Sequence, residues 1–309
     1  YMKKKSIGFE SMRPFLPYYP ERIYKNMYEV GLSSCGHILD DAYFASFQKA
    51  GIRYMEVSPG EDDYANVDYL KIKALAKTYD VGLWSFHLPY WPFDTVDLSN
   101  PPIAKRTVGY FKELIQKAAD IGIDKFVLHA SGEPIEDIEE RKTRMACAKE
   151  SLFALAEFAK TCGAVIAVEN LPRSCLGRDS DDILDLISAH DDLRVCFDTN
   201  HLLIEDPADF VRRVGDKMIT THVSDCDFIN ERHWLPGEGK IDWQALLGAL
   251  FDVNYHGIWL YEIGFQCPRS IIRDRDLTCE DFVRNANELF QNKPITTFST
   301  HIEGLGMWV

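Results

Sequence analysis

The feature that most constrains this chain is a rhythm. Eight short apolar runs recur between residues 28 and 264: YEVGLSSCG, IRYMEVSP, VGLWSFHLP, DKFVLHAS, AVIAVENLP, LRVCFDTNH, MITTHVSD and GIWLYEIG. Each is rich in β-branched or aromatic residues and ends on polar ones. Short, nearly continuous apolar runs are how strands covered on both faces read. The stretches between them carry helical signals. DDAYFASFQKAG stops at Gly51, a C-cap residue. AKRTVGYFKELIQKAADIG spaces Val108, Phe111, Leu114 and Ile115 at helical period and is expected to stop at Gly122. RKTRMACAKESLFALAEFAKTCG stops at Gly163. SDDILDLISAHD starts with Ser180 or Asp181 as N-cap, and DPADFVRRVGD with Asp206 as N-cap and Pro207 in the first turn.

Alternating strands and helices predict an α/β chain with a parallel sheet. Eight βα units in this length predict a single-domain (β/α)8 TIM barrel over residues 29–290. A doubly wound open sheet is the alternative. Eight regular units without a Gly-rich phosphate loop favour closure. Residues 1–28 form an aromatic, Pro-rich extension, and 291–309 a tail without helical pattern. Each is expected to cover a barrel end or a neighbouring subunit, so a homo-oligomer is possible.

In such a barrel the chemistry sits where the strands end. The third run ends on His87, the fourth on His129 and the fifth on Glu169. The sixth delivers Asp198 and then His201, the seventh His222, and the eighth Glu262. Any one of these reads as a structural histidine or a helix-capping carboxylate. Six successive strands delivering them to one rim read differently. An uncompensated ring of buried carboxylates is costly, and a divalent cation removes that cost while using the imidazole nitrogens as ligands. The second run adds Glu56, with a structural and a substrate-contact reading equally open. After FHLP come Tyr90, Trp91, Pro92 and Phe93, which suit the apolar face of a sugar or a hydrophobic lid. The loop NERHWLPGEG follows the seventh run. Glu231 and His233 are two apart, so in extended backbone both point the same way and Arg232 the other. Trp234 completes the expected substrate contacts.

The ordered set FHLP, LHAS, VEN, FDTNH, HVSD, GEGKIDW and YEI resembles the xylose isomerase-like superfamily of TIM barrels. That superfamily includes ketose 3-epimerases, hydroxypyruvate isomerase, inosose dehydratase and endonuclease IV. The resemblance implies one divalent ion (Zn, Mn, Co or Mg) held by Glu169, Asp198, His222 and Glu262. It also implies catalytic roles for Glu169, Glu262, His201 and Arg232. The expected reaction is isomerisation or epimerisation of a sugar by proton abstraction next to a carbonyl, through an enediolate. Endonuclease IV holds three zinc ions, and its further ligand positions fall on His87, His129, His201, Glu231 and His233. Glu231 stands where that enzyme has Asp. The alternatives are therefore a multi-zinc phosphodiesterase and an inosose dehydratase-like lyase.

Charge bears on the choice. Asp and Glu number 48 against 34 Lys and Arg, a formal charge of −14. A polyanion partner needs a basic footprint, so nucleic acid is disfavoured and a small-molecule sugar preferred. Eight scattered cysteines without a CxxC pair read as reduced residues of a cytoplasmic protein. The start YMKKKSIGFE lacks the apolar run of a secretory signal, and no stretch reaches a membrane span.

Overall fold

A computed structural model describes residues 28–60, 63–302 and 304 of the 309. All but Tyr28 of the N-terminal extension therefore lies outside the described residues. The strands are β1 (Val30–Ser33), β2 (Tyr54–Val57), β3 (Gly82–His87), β4 (Lys125–Leu128), β5 (Val165–Glu169), β6 (Arg194–Asp198), β7 (Met218–His222) and β8 (Trp259–Tyr261). Between them run α1 (Asp41–Ala50), α2 (Tyr69–Tyr79), α3 (Pro101–Ala119), α4 (Ile138–Thr161), α5 (Ser180–Ile187), α6 (Pro207–Val214) and α7 (Trp243–Asp252). Strand β9 (Ile271–Arg273), helix α8 (Cys279–Phe290) and strand β10 (Ser299–His301) follow.

The sheet order is β7-β6-β5-β4-β3-β2-β1-β8, and its strand pairs are parallel. Just beyond β7, Val223 bridges in parallel to Tyr261 of β8, with Val223 N–H donating to the Leu260 carbonyl at 2.8 Å. The barrel is thus nearly closed, and all eight expected strands are present. It is a (β/α)8 TIM barrel.

Strand parity explains the two layers of apolar residues. Ile166, Val168, Val195 and Phe197 point outward into the core shared with the helices. Val127, Ala167 and Cys196 pack together inside the barrel. Side chains alternate along a strand, so two residues further on the inward position recurs. There stand His129, Glu169 and Asp198.

The helices begin where the strands end. Asp40, Asp68, Asp137, Asp179, Asp206 and Asp242 each cap a helix, their side chains accepting a backbone N–H of the first turn. The cap of α5 is Asp179, not Ser180 or Asp181. Asp179 is extended and accepts from Asp182 N at 2.9 Å, while the Ser180 hydroxyl donates instead to Glu205 at 2.6 Å. Helix α3 ends at Ala119, three residues before Gly122. Gly122 then takes a left-handed conformation (φ 101°) that turns the chain toward β4.

The tail is not featureless. Its β10 pairs antiparallel with β9. Phe298 N–H donates to Glu238 at 3.1 Å, and the His301 ring stacks on Trp234. The described part of the tail thus lies against the loop after β7.

Candidate metal centre and active site

The strand ends converge on Glu169, which is completely buried. Its Oε2 lies 3.2 Å from His87 Nε2 and 3.3 Å from His129 Nε2. Its Oε1 lies 3.2 Å from His222 Nδ1 and 3.3 Å from His201 Nδ1. His222 Nδ1 is also 3.3 Å from Glu262 Oε2 and 4.0 Å from Asp198 Oδ2. Two atoms bound to one ion at 2.0–2.1 Å in tetrahedral geometry stand about 3.3 Å apart. Among the described residues, five groups bring ligand atoms within 4.8 Å of one another around these histidines, among them Glu169, Asp198, His222 and Glu262; His87, His129 and Glu169; and His201, Glu231 and His233. Glu169 is common to the first two of these.

Outer hydrogen bonds orient the imidazoles. His222 offers its Nε2 to Glu56 at 3.1 Å, leaving Nδ1 for the centre. His87 Nδ1 lies 2.8 Å from the Leu88 carbonyl, and His201 Nδ1 3.0 Å from the Asn170 carbonyl. A ring that donates one N–H to a carbonyl or carboxylate presents the lone pair of its other nitrogen. For His87 that lone pair faces Glu169, and for His201 it faces Glu231 Oε2 at 3.0 Å. A lone pair against a carboxylate oxygen calls for a proton or a cation between them. Asp198 Oδ2 is buried without a hydrogen-bond partner, while Oδ1 accepts from the N–H groups of Asn200 and His201. These residues fit a divalent cation.

The electrostatics carry the same demand. Burial alone would raise the Glu169 carboxyl, yet the surrounding imidazoles of His222 and His129 hold it well below the usual range. Burial likewise works against Glu262, and His222 brings it down to about 2. Burial pushes Asp198 well above its ordinary value, against the pull of His201. Burial disfavours a charged His87, but Glu169 pushes it up to about 9. Crowded carboxylates hold protons on His87, His201 and His222, while burial lowers His129; a bound cation meets the same need.

The loop after β7 settles the orientation of its side chains. Asp225 and Trp234 pair as an antiparallel bridge. Asn200 Oδ1 accepts from the N–H groups of Arg232 and His233, at 2.7 and 3.2 Å. His233 takes a left-handed conformation (φ 50°). Glu231 and His233 thereby reach His201. Gly239 is needed because a Cβ there would lie 2.2 Å from Asp225 Oδ1.

Three expected substrate contacts stand elsewhere. The Arg232 side chain is fully buried, its Nε donating to Asp227 at 2.9 Å, and it lines neither cavity described below. Trp234 is buried, donates its indole N–H to Ser270 at 2.8 Å and is covered by His301. Glu56 is completely buried between Ser85 and His222. In the β2–β3 register Glu56 faces Ser85, so it lies one inward layer below His87. Depth inside a barrel depends on register, which a single strand does not reveal.

Two of the cavities at this end are lined by site residues or their neighbours. One of about 440 Å³ is lined by Glu262, His233, Tyr90 and Cys35. Another of about 950 Å³ is lined by Trp91, Phe93, Glu133 and Arg173 among others. Trp91 and Phe93 thus lie at a cavity wall. Glu133 and Arg173 gave no sequence signal, because neither ends a strand.

A family model described as "Xylose isomerase-like TIM barrel" matches residues 44–276. The chain belongs to that family. It is 28% identical over 177 residues to a D-psicose 3-epimerase of Enterocloster bolteae, covering 53% of this chain and 56% of that one. It is 23% identical over 226 residues to a D-psicose 3-epimerase of Ruminiclostridium cellulolyticum, covering 70% and 75%. The alignment with the first of these spans little more than half of the relative. Its fold is similar to the crystal structure of a D-tagatose 3-epimerase-like protein, with TM-score 0.67, 22% identity, and 76% and 90% of the two chains covered.

Proposed function

We propose that this chain is a divalent-metal-dependent sugar isomerase or epimerase that moves a proton next to a carbonyl through an enediolate. The convergence of Glu169, Asp198, His222 and Glu262 from four successive strands carries the reading. The names of the relatives support the same chemistry. A cation held there (Zn, Mn, Co or Mg) supplies Lewis-acid polarisation of the substrate carbonyl. Glu262 is 16% exposed and borders the 440 Å³ cavity, which supports its role as the carboxylate that exchanges a proton with a sugar. Glu169 comes from β5, separated from β8 by β6 and β7, and serves as the second carboxylate. His201 stabilises the developing oxyanion. The catalytic role expected for Arg232 is not carried forward, because that side chain is buried against Asp227. A lyase of the inosose dehydratase kind uses the same proton removal and then expels a hydroxyl. A cytoplasmic location is part of this proposal and is supported by eight unpaired cysteines; among the described residues no helix is long and apolar enough to cross a membrane.

A second reading rests on the two further groups, His87–His129–Glu169 and His201–Glu231–His233. They suit a multi-zinc phosphodiesterase like endonuclease IV. The formal charge of −14 weighs against a nucleic-acid substrate. The deciding experiment pairs metal content per chain with deuterium uptake from D2O into a ketose panel. Bound metal with exchange, abolished in Glu262→Gln, is the expected result. Three zinc ions, no exchange and nicking of abasic DNA would overturn it.

A further inference from the structure

The loop after β3 meets two different spaces. Tyr90 turns to the centre, its ring centroid 4.9 Å from that of His129. Trp91 and Phe93, 4.8 Å apart, line the 950 Å³ cavity. Phe93 lies directly on the β4 loop, where a Cβ on Gly132 would come within 2.5 Å of its ring. Pro134, after β4, Leu203 and Ile204, after β6, and Phe228 and Ile229, after β7, complete the apolar lining. Four barrel loops thus contribute apolar groups to one space. Its volume is at the upper end of the roughly 300–1,000 Å³ typical of small-molecule sites.

The charges in its wall define what fits. Arg173 is the cation there, and its donors are committed. Its Nε reaches both Glu133 oxygens at 2.9 and 3.0 Å, and its Nη1 reaches Asn230 at 2.6 Å and Glu231 at 2.8 Å. Glu136 adds a further carboxylate to the lining. Carboxylates outnumber the cation, so a phosphate or carboxylate group is repelled. The same Arg173 joins the cavity to the centre, because Glu231 continues to His201 Nε2 at 3.0 Å.

We propose that this cavity binds an uncharged apolar substituent, preferentially aromatic, carried by the sugar. The preferred substrate is then a keto sugar carrying that group through a glycosidic or similar link, with free ketoses weaker and phosphorylated ones weakest. This rests on the sugar reading of the centre and deepens it.

The test is calorimetric titration of the metal-loaded protein with matched pairs: phenyl and methyl β-D-glucopyranoside, phenyl and methyl β-D-galactopyranoside, and glucose 6-phosphate. At least one phenyl glycoside is expected to bind about tenfold or more tightly than its methyl partner, with the phosphate weakest. The advantage should fall to near unity in Ile229→Asp and Ile204→Asp, at positions 45% and 65% exposed and so tolerant of the change. Equal affinities within both pairs, no binding of either phenyl glycoside, or tighter binding of the phosphate overturns the proposal. So does a wild-type dimer that Ile229→Asp converts to monomer, since a second copy then fills the cavity. The two readings fail separately. A phenyl preference without ketose exchange sinks the isomerase assignment and keeps the cavity; exchange without the preference does the reverse.

Discussion

Glu56 stands behind His222, on the side of the imidazole away from the other ligand atoms. Its oxygens reach His222 Nε2 at 3.1 and 3.2 Å, and Ser85 Oγ donates to it at 2.8 Å. A carboxylate in that place fixes the tautomer and raises the basicity of the ring. Glu56→Gln keeps the shape and removes the charge. It is expected to weaken metal binding about 10- to 100-fold, measured by competition with a metal-chelating dye. Exchange at saturating metal should largely recover, as suits a residue that positions another. An unchanged metal affinity would show that Glu56 is only a buried packing partner. The contrast with its neighbours shows what was legible in the sequence. His129, Glu169 and Asp198 end their strands in phase, so period-two alternation alone sends them inward together. Glu56 has the same phase but a deeper register, and Trp234 is turned away by the bridge to Asp225. Both depend on pairing between distant segments.

Among the elements, α8 has the most explicit start. Thr278 and Asp281 form a reciprocal capping box, with Thr278 N–H donating to Asp281 Oδ2 at 2.9 Å. Arg275 pairs with the same carboxylate at 2.6 and 2.9 Å. Burial opposes the charge on Asp281, yet Arg275 and Thr278 bring its carboxyl down to about 2. A carboxyl depressed on folding adds stability above its unfolded value near 4, and that stability is lost as pH falls through about 2. Arg275 is half exposed, so screening limits the contribution to roughly 1–2 kcal/mol. In urea denaturation, Asp281→Ala should be destabilised by about that amount at pH 7, with the difference from wild type shrinking toward pH 2. A gap independent of pH would assign the loss to packing instead. Five of the barrel helices, α1 and α3 to α6, were readable from caps and spacing to within a few residues. The β9–β10 pair was not. Its ladder joins two three-residue segments across α8, too short to carry an alternation of their own.

The order of the elements dictates the electrostatics of the whole molecule. In a βα barrel each helix begins at the end where its strand finishes. The aspartates that cap α1, α2, α4, α5, α6 and α7 therefore gather around the mouth that holds Glu169, Asp198 and Glu262. The net charge of −14 is in part the consequence of capping, and it makes that mouth attractive to cations and hostile to polyanions. A cation bound there draws ligands from β5, β6, β7 and β8 and pins half the barrel. Binding to the folded state alone stabilises by RT ln(1 + [L]/Kd), about 4 kcal/mol at a thousandfold excess over Kd. For a domain of this size that corresponds to a fall in Tm of roughly 6–7 °C when a chelator strips the metal. Scanning calorimetry with and without chelator measures it. Readdition of manganese or zinc should restore the transition, and Asp198→Asn should shrink the difference, because Oδ2 then loses its charge. A Tm that ignores both chelator and metal would mean that the clustered carboxylates hold no ion, and that the protons on His87, His201 and His222 are their resident counter-charge.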